Sequence, residues 1–296
     1  MDYSLVVAIE LLREVAGLIL IATGLAVIFG MMRVINIAHG EFMMLGGYTV
    51  VLTTKLGVNL WVAILILAPL AVGIFGVIVE RLIIRHLYGR IIDSLLATWG
   101  LSLFIMGFVT VVFGNTVEGV KPPLGSFTIG ENYSIAVYTL FLIFAAVAFL
   151  SIVYLALRHT KAGLIARATM QNPNMVESLG VNSKLVYMAT FGIGAAFAGL
   201  AGGILAPITG VVPGMGAFLI GKAFITVVTG GAAVVAGTLS ASGILGSISQ
   251  AVTFATTPVY GDAALLFVAL VLLLSLIHIS EPTRPRLISY AVFCLK

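Results

Sequence analysis

Three polar side chains lie close together in one apolar stretch of the chain, and each can take part in chemistry there. Residues 34–48 read Val-Ile-Asn-Ile-Ala-His-Gly-Glu-Phe-Met-Met-Leu-Gly-Gly-Tyr and contain Asn36, His39 and Glu41. A histidine and a carboxylate this close can relay a proton or bind a metal ion. Ionisable side chains are costly to bury in a bilayer, so such residues within a span mark candidate sites on a transport path.

Glycines beside these residues indicate an irregular helix. Gly40, Gly46 and Gly47 lie within or directly after the polar group. Non-helical backbone is tolerated at membrane depth only where protein buries it or where it lines a polar cavity, so the pattern predicts a broken or closely packed helix along a polar path. A structural role for His39 and Glu41, as capping or pairing groups in the helix break, fits the same pattern.

Other candidate sites carry weaker signals. Thr98 lies within another apolar stretch and is a second path candidate, although a threonine there often bonds to its own helix. No further His or carboxylate cluster supports a metal site beside His39 and Glu41, so no metal ligand is predicted. No nucleophile–base pair has convincing spacing, so no catalytic residue is predicted.

The composition indicates a membrane protein that crosses the bilayer many times. Hydrophobic residues make up 61% of the chain and charged residues only 9%, and the mean hydropathy is +1.20. Soluble domains contain about 25% charged residues. Long apolar runs predict an all-α protein, because a membrane β-barrel would show short alternating segments. The formal charge of +4 is spread over loops and predicts no nucleic-acid partner.

Eight or nine transmembrane segments are predicted, since a span needs about 20 apolar residues. The segments at 34–54 and 217–236 are the least regular and are candidates for broken or re-entrant helices. A single membrane domain over residues 1–273 is therefore expected. The nine candidate segments are 14–32, 34–54, 59–81, 92–113, 134–157, 185–207, 217–236, 238–256 and 262–277.

The charges of the loops predict the orientation. Arg81, Arg85 and Arg90 lie near one loop, and the segment 158–184 is also basic, so both are expected in the cytoplasm. The loop 114–133 between them is expected outside. Nine spans would place the N-terminus outside the cell.

The second half of the chain contains few charges and many glycines. Between Lys184 and Glu281 the sequence has only Lys222 and Asp262 as charged residues. Gly199 and Gly203 form a small-residue pair that predicts close helix packing within the chain rather than a dimer interface. Residues 216–222 resemble a phosphate-binding loop, but Ala223 stands where that loop needs a hydroxyl, so no nucleotide site is predicted. The sequence shows no convincing internal repeat.

The segment 160–182 predicts two short helices outside the bilayer. Asn172-Pro173 interrupts a helical pattern, and a second short helix is expected to end at Gly180. Two such helices can form a docking surface for a soluble partner, and a solvated connecting loop is the alternative.

Together, residues 34–48 and 160–182 resemble the two hallmark segments of branched-chain amino-acid ABC transporter permeases. The likeness extends over about residues 14–272. Within the coupling segment, residues 158–184, it rests on short elements spread along the chain. These are Lys161 and Gly163, Arg167-Ala168, Asn172-Pro173, Glu177 and Leu179-Gly180.

The resemblance implies a transport subunit rather than an enzyme. A second permease would pair with this chain in the inner membrane of a prokaryotic cell. Two cytoplasmic ATPases would dock on the coupling segments and bind ATP and magnesium, so this chain itself would need no cofactor. An extracytoplasmic binding protein would deliver the substrate.

Two departures leave the substrate open. The late spans lack the family's frequent Gly-Gly-x-Gly-Ser element and contain Gly230-Gly231 followed by other residues. Residues 96–103 and 236–239 are closer to the urea and short-chain amide branch. Branched-chain amino acids are the main expectation, and urea or a short amide is the alternative.

A stand-alone transporter is a further alternative. In that case His39 and Glu41 would form a proton relay and the chain would need no ATPase.

The last residues are expected not to belong to the natural protein. Residues 274–284 and 288–296 resemble the in-frame translation of a DNA sequencing adapter. The segment 274–296 is therefore assigned no function, and its residues His278 and Cys294 are not candidate sites.

Overall fold

Helices of very different lengths form almost the whole molecule. A computed structural model of the chain describes residues 2–130, 133–231 and 233–280. The elements are α1 Asp2–Met32, α2 His39–Lys55, α3 Leu60–Val62, a π-helical turn Ala63–Leu67, α4 Ala68–Leu82, a 3-10 turn Ile84–His86, α5 Ile91–Phe113, β1 Ser126–Ile129, β2 Tyr133–Ala136, α6 Val137–His159, α7 Lys161–Gln171, α8 Pro173–Ser178, α9 Ser183–Thr209, α10 Met215–Gly230, α11 Val234–Ala255 and α12 Pro258–Ser280.

The predicted all-α membrane architecture is confirmed. Each of the nine predicted segments contains an apolar helix, and seven helices in the described ranges are long and apolar enough to cross a membrane. The other two are α2, with 17 residues, and α10, with 16 residues. These are the two segments that the sequence marks as irregular.

Several predicted boundaries were wrong. The segment 34–54 begins as a helix only at His39, because residues 33–38 form an irregular connection. The segment 217–236 spans two helices, since α10 ends at Gly230 and Gly231 has a φ of 70° that a helix cannot continue. At the end of the chain, α12 continues to Ser280, while residues 281–296 of the expected non-native tail lie outside the described residues.

A small β-hairpin in the loop between α5 and α6 was not predicted. Its strands pair antiparallel, with Ser126 opposite Ala136 and Ile129 opposite Tyr133. A bridge between Glu118 and Val211 joins the same loop to the connection between α9 and α10. The loop therefore ties the two halves of the chain together on one side.

The order of helix lengths is similar in the two halves of the chain. The first half contains the long helix α1, the short α2, the helix at 60–82 and α5; the second contains the long α9, the short α10, then α11 and α12. Helix α6 lies between them in the sequence. The short helix of each half packs against the long helix of the other, α2 against α9 and α10 against α1.

Helix α9 lies at the centre and packs against α4, α2 and α1. Its glycines permit this approach: a Cβ on Gly199 would lie 2.7 Å from the carbonyl oxygen of Ala68, and one on Gly203 would lie 3.1 Å from Val50. The Gly199–Gly203 pair thus packs within the chain, as predicted. On α2, a Cβ at Gly46 would collide with the backbone of Gly199.

Replacement of Gly46 by valine is expected to destabilise the fold. Its side chain would meet the Gly199 backbone, which cannot rotate away, and overpacking of this kind costs about 1–3 kcal/mol. The measurement is thermal unfolding of the purified protein in detergent. Gly107→Val is the matched control, because no atom lies within 4 Å of a Cβ at Gly107. Equal melting temperatures for the two variants would contradict the packing.

Candidate functional site

The connection between α1 and α2 is held by a single side chain of α5. The Thr98 hydroxyl accepts a hydrogen bond from the backbone N–H of Ile37 at 3.2 Å, and its oxygen lies 3.1 Å from the carbonyl oxygen of Ile35. It also lies 2.9 Å from the carbonyl oxygen of Ser94 in its own helix. Thr98 is fully buried. The residue predicted as a path candidate therefore positions the irregular backbone, rather than bonding only to its own helix.

The three polar residues of the connection and of the first turn of α2 are buried together. His39 and Glu41 are 0% exposed and Asn36 is 1% exposed. The carbonyl oxygen of Asn36 accepts the backbone N–H of His39 at 3.3 Å. Among the described residues, their side-chain nitrogen and oxygen atoms have no hydrogen-bond partner. Buried polar groups without partners are energetically unfavourable, so this cluster is a strong site candidate.

The N-terminal ends of α2 and α10 meet at this cluster. A Cβ at Gly40 would collide with the carbonyl group of Gly216, so both positions need glycine for the contact. A Cβ at Gly216 would lie 2.8 Å from the Glu41 carboxylate oxygen Oε1. Helix N-termini carry partial positive charge and favour a nearby anion. Glu41 is the acidic side chain in the first turn of α2 and lies at these two helix ends.

Polar residues of α5 continue the site. Ser94, Thr98 and Ser102 are buried and recur every four residues, so they form one stripe of this helix. The stripe extends the polar lining of the site along α5, and it makes no hydrogen bond to Glu41. Of these three residues only Thr98 was predicted, although the i, i+4, i+8 spacing of the hydroxyls was a readable signal.

His39 and Glu41 could relay a proton or bind a metal ion, and no metal site was predicted from them. No group of three His, Cys, Asp or Glu side chains there is placed to hold a metal ion. Within the chain described by the structure, His39 lies instead beside α1, where a Cβ on Gly24 would come 2.8 Å from its Cε1 atom. The site therefore contains an amide, an imidazole and a carboxyl group where two helices begin.

Two short strings near this site have similar counterparts in the second half of the chain. Gly24-Leu25-Ala26 of α1 matches Gly199-Leu200-Ala201 of α9. Gly40 and Phe42 of α2 match Gly216 and Phe218 of α10, and the two glycines of this pair touch.

The coupling segment forms the two short helices that were predicted. The Thr160 side chain caps α7 by accepting the N–H of Gly163 at 3.0 Å, and the Asn172 side chain caps α8 by accepting the N–H of Met175 at 3.1 Å. Pro173 occupies the first turn of α8, where its missing N–H costs nothing. Gly180 has a φ of 87°, which disfavours any side chain there.

Other residues of the coupling segment on which the family resemblance rests hold the two helices in place. A Cβ at Gly163 would collide with the carbonyl oxygens of Ala156 and Leu157 at the end of α6. The Ser183 hydroxyl donates a hydrogen bond to Glu177, which joins α8 to the start of α9. Ala168 is half-buried in α7. These positions therefore shape the segment from within.

The outer face of the two short helices is apolar and basic. Leu164, Met175 and Leu179 are 60%, 61% and 76% exposed. Lys161 and Arg167 are exposed beside them. These five residues are called the coupling surface below. Exposed apolar side chains rimmed by charges are typical of a protein-binding surface.

A cluster of three residues connects the start of α9 with the end of α4. The Tyr88 hydroxyl donates a hydrogen bond to the buried Glu80, and the ring of Tyr88 lies 4.9 Å from that of Tyr187 in α9. Burial, and then the hydrogen bond to Glu80, raise the pKa of Tyr88 above its ordinary value. The phenol therefore stays protonated and keeps donating to Glu80.

Comparisons with known proteins identify the family of this chain. Residues 7–276 match the model of the family described as the permease component of the branched-chain amino acid transport system. The chain belongs to this family. The permease is a multi-pass protein of the inner membrane, as its resemblance implied.

Named relatives align with most of the permease. It is 30% identical over 283 residues to the high-affinity branched-chain amino acid transport system permease protein LivH of Escherichia coli strain K12, covering 90% of this chain and 91% of LivH. It is 34% identical over 246 residues to BraD of Pseudomonas aeruginosa, covering 77% and 79%. A probable LivH of Methanocaldococcus jannaschii is 25% identical over 262 residues, covering 84% and 81%. No solved structure matches the permease significantly.

Replacement of Thr98 by valine is expected to loosen the connection between α1 and α2. Valine has the same shape but leaves the buried N–H of Ile37 without a partner, which costs about 1–3 kcal/mol. The measurement is the melting temperature in detergent together with transport activity. Thr110→Val is the control, because the Thr110 hydroxyl bonds only to Met106 in its own helix. An unchanged melting temperature for Thr98→Val would show that the hydroxyl does not hold the connection.

Proposed function

We propose that the permease is the membrane-spanning subunit of an ATP-driven importer of branched-chain amino acids. The observation that carries the proposal is the coupling surface, which exposes three large apolar side chains and two basic ones on capped short helices. Exposed apolar side chains rimmed by basic ones are typical of a surface that a soluble partner covers. Family membership and the names of the relatives supply the importer class and the substrate class.

Energy would come from other polypeptides. The structure contains no strand–loop–helix for phosphates at 216–222, where α10 begins instead, so a nucleotide site is not expected there. Two cytoplasmic ATPases, with their own ATP and magnesium, would bind the coupling surfaces of two paired permeases. An extracytoplasmic binding protein would deliver the substrate. The permease would then need neither a cofactor nor a nucleic-acid partner, and it would perform no enzymatic reaction itself.

The buried polar cluster would lie on the translocation path. Among the residues that the structure describes, the side chains of Asn36, His39 and Glu41 have no hydrogen-bond partner, and Thr98 holds the backbone beside them. A second conformation that opens between α2 and α10 would expose these groups to water or substrate. Buried, unpaired groups favour such an opening because hydration relieves their cost.

Disrupting the coupling surface should stop ATP-driven uptake. Leu164→Asp or Leu179→Asp is expected to lower uptake at least tenfold, because the carboxylate would be buried against the partner ATPase without an ionic partner. Glu177→Lys, which breaks the contact with Ser183, should have a similar effect. The measurement is labelled leucine uptake into vesicles that contain the permease and its partner subunits, with membrane insertion checked by immunoblot.

Leu56→Asp is the matched control, because Leu56 is equally exposed but lies in the turn between α2 and α3. Wild-type uptake by the coupling variants would contradict the proposal. Uptake by the permease alone, driven by a proton gradient, would instead support the second candidate function. In that case the buried pair His39 and Glu41 would form a proton relay.

The substrate class is tested by competition. Uptake of labelled leucine should be inhibited by isoleucine and valine and should not be inhibited by urea or acetamide. The reason is that an apolar amino acid presents a hydrophobic body and two charges, whereas urea presents neither. Uptake of labelled urea that leucine does not inhibit would assign the permease to the urea and short-chain amide alternative.

A further inference from the structure

The two isolated charges of the second half of the chain meet in space. Lys222 of α10 lies 2.5 Å from Asp262 of α12, measured from Nζ to Oδ1. The same ammonium lies 3.7 Å from Oε1 of Glu14 in α1. Three helices therefore bring charged groups together, and two of these groups are the isolated charges of the charge-poor second half of the chain. Such groups in apolar helices are candidate functional sites.

These charges border a cavity that is otherwise apolar. The cavity has a volume of about 240 Å³ and lies between α1, α6, α9 and α10. Arg13, Glu14 and Lys222 line it at one part of the wall. The remaining wall consists mainly of aliphatic side chains, among them Leu18, Ile21, Leu142, Leu205 and Ile208. Sites for drug-sized ligands have volumes of roughly 300–1,000 Å³, so this smaller cavity suits a ligand of few atoms.

The charged groups at the cavity are only partly paired with one another. The side chains of Lys222, Glu14 and Asp262 are 17%, 21% and 28% exposed. Lys222 also lies 5.0 Å from the centre of the Phe218 ring. Its contact with Glu14 is too long for a hydrogen bond, so among the described residues the Glu14 carboxylate is held only by this long-range attraction.

The balance of charge favours a ligand that has a positive end. Arg13 is already paired with Glu10 at 2.6 Å, and Lys222 is paired with Asp262. Glu14 is thus the carboxylate in excess. A ligand with an ammonium group can bind Glu14, and a carboxylate on the same ligand can approach Lys222. An aliphatic side chain can then occupy the apolar wall.

We propose that this cavity is a binding subsite for a zwitterionic amino acid with an aliphatic side chain. Glu14 binds the ammonium group, Lys222 binds the carboxylate, and the leucine and isoleucine side chains of the wall contact the aliphatic part. The inference rests on the proposed function, which it deepens by placing a substrate contact within the membrane subunit. Uncharged urea would gain nothing from this arrangement.

Equilibrium binding of tritiated L-leucine tests the subsite. The full chain is reconstituted in phosphatidylcholine nanodiscs with any subunits that remain bound. Saturable binding is expected, and Glu14→Gln should weaken it about tenfold or more because a charged hydrogen bond is lost. Competition by 4-methylpentanoate, which lacks the ammonium group, should be the same in wild type and Glu14→Gln.

A second variant fills the cavity without removing a charge. No atom lies within 4 Å of a Cβ at Gly17, which borders the cavity, so Gly17→Leu can fold and occupy the space. It should abolish leucine binding while the melting temperature stays unchanged. Arg90→Gln is the control, because its contact with Asp93 lies at the start of α5, which does not line the cavity, and it should bind leucine like the wild type.

Five outcomes would overturn the subsite. Three concern leucine binding: no saturable binding, equal binding by wild type, Glu14→Gln and Gly17→Leu, or an equal loss in Arg90→Gln. The fourth is loss of leucine binding in nanodiscs that contain phosphatidylethanolamine, which would assign the charges to a lipid headgroup. The fifth is ATP-dependent uptake that persists undiminished in Glu14→Gln.

The proposed function is tested separately. Leucine uptake into vesicles that is equal with and without the partner ATPases overturns the importer proposal alone.

Discussion

The contact between Gly40 and Gly216 is the constraint on which the arrangement of the membrane helices depends. It places the starts of the two short helices α2 and α10 against each other. The chain must then return from the ends of α1 and α9 through irregular backbone. Because backbone groups in a bilayer need partners, both returns are held: Thr98 bonds to one, and Glu118 pairs with Val211 in the other.

The same contact determines the electrostatics of the centre. Two helix N-termini with partial positive charge face one buried carboxylate, that of Glu41. An imidazole and an amide lie within the same stretch and have no partners among the described residues. The cluster of Asn36, His39 and Glu41 is therefore packed, but its side chains lack hydrogen bonds among the described residues. Such a site responds strongly to any change in hydration, which is useful for a path that must open and close.

Much of this architecture was readable in the sequence. Apolar runs predicted the helices, and the glycine-rich stretches identified the two short ones, because helix breaks need small residues. Caps such as Asn172-Pro173 predicted α8 for the same local reason. The pairing of Lys222 with Glu14 and Asp262 was not predictable, since it joins helices far apart in the chain. The β-hairpin at 126–136 was also missed, because its few residues lie in a loop with no strong alternation.

The meeting of the two short helices has one further consequence, which concerns the residue that follows each touching glycine. Glu41 follows Gly40 and is fully buried, whereas Ala217 follows Gly216 and is exposed. The two helix starts therefore touch through similar glycines but have different surroundings. A polar side chain at position 41 loses its water on folding, and one at position 217 would keep it. The cost of burying a polar group at this contact thus falls on the first helix alone.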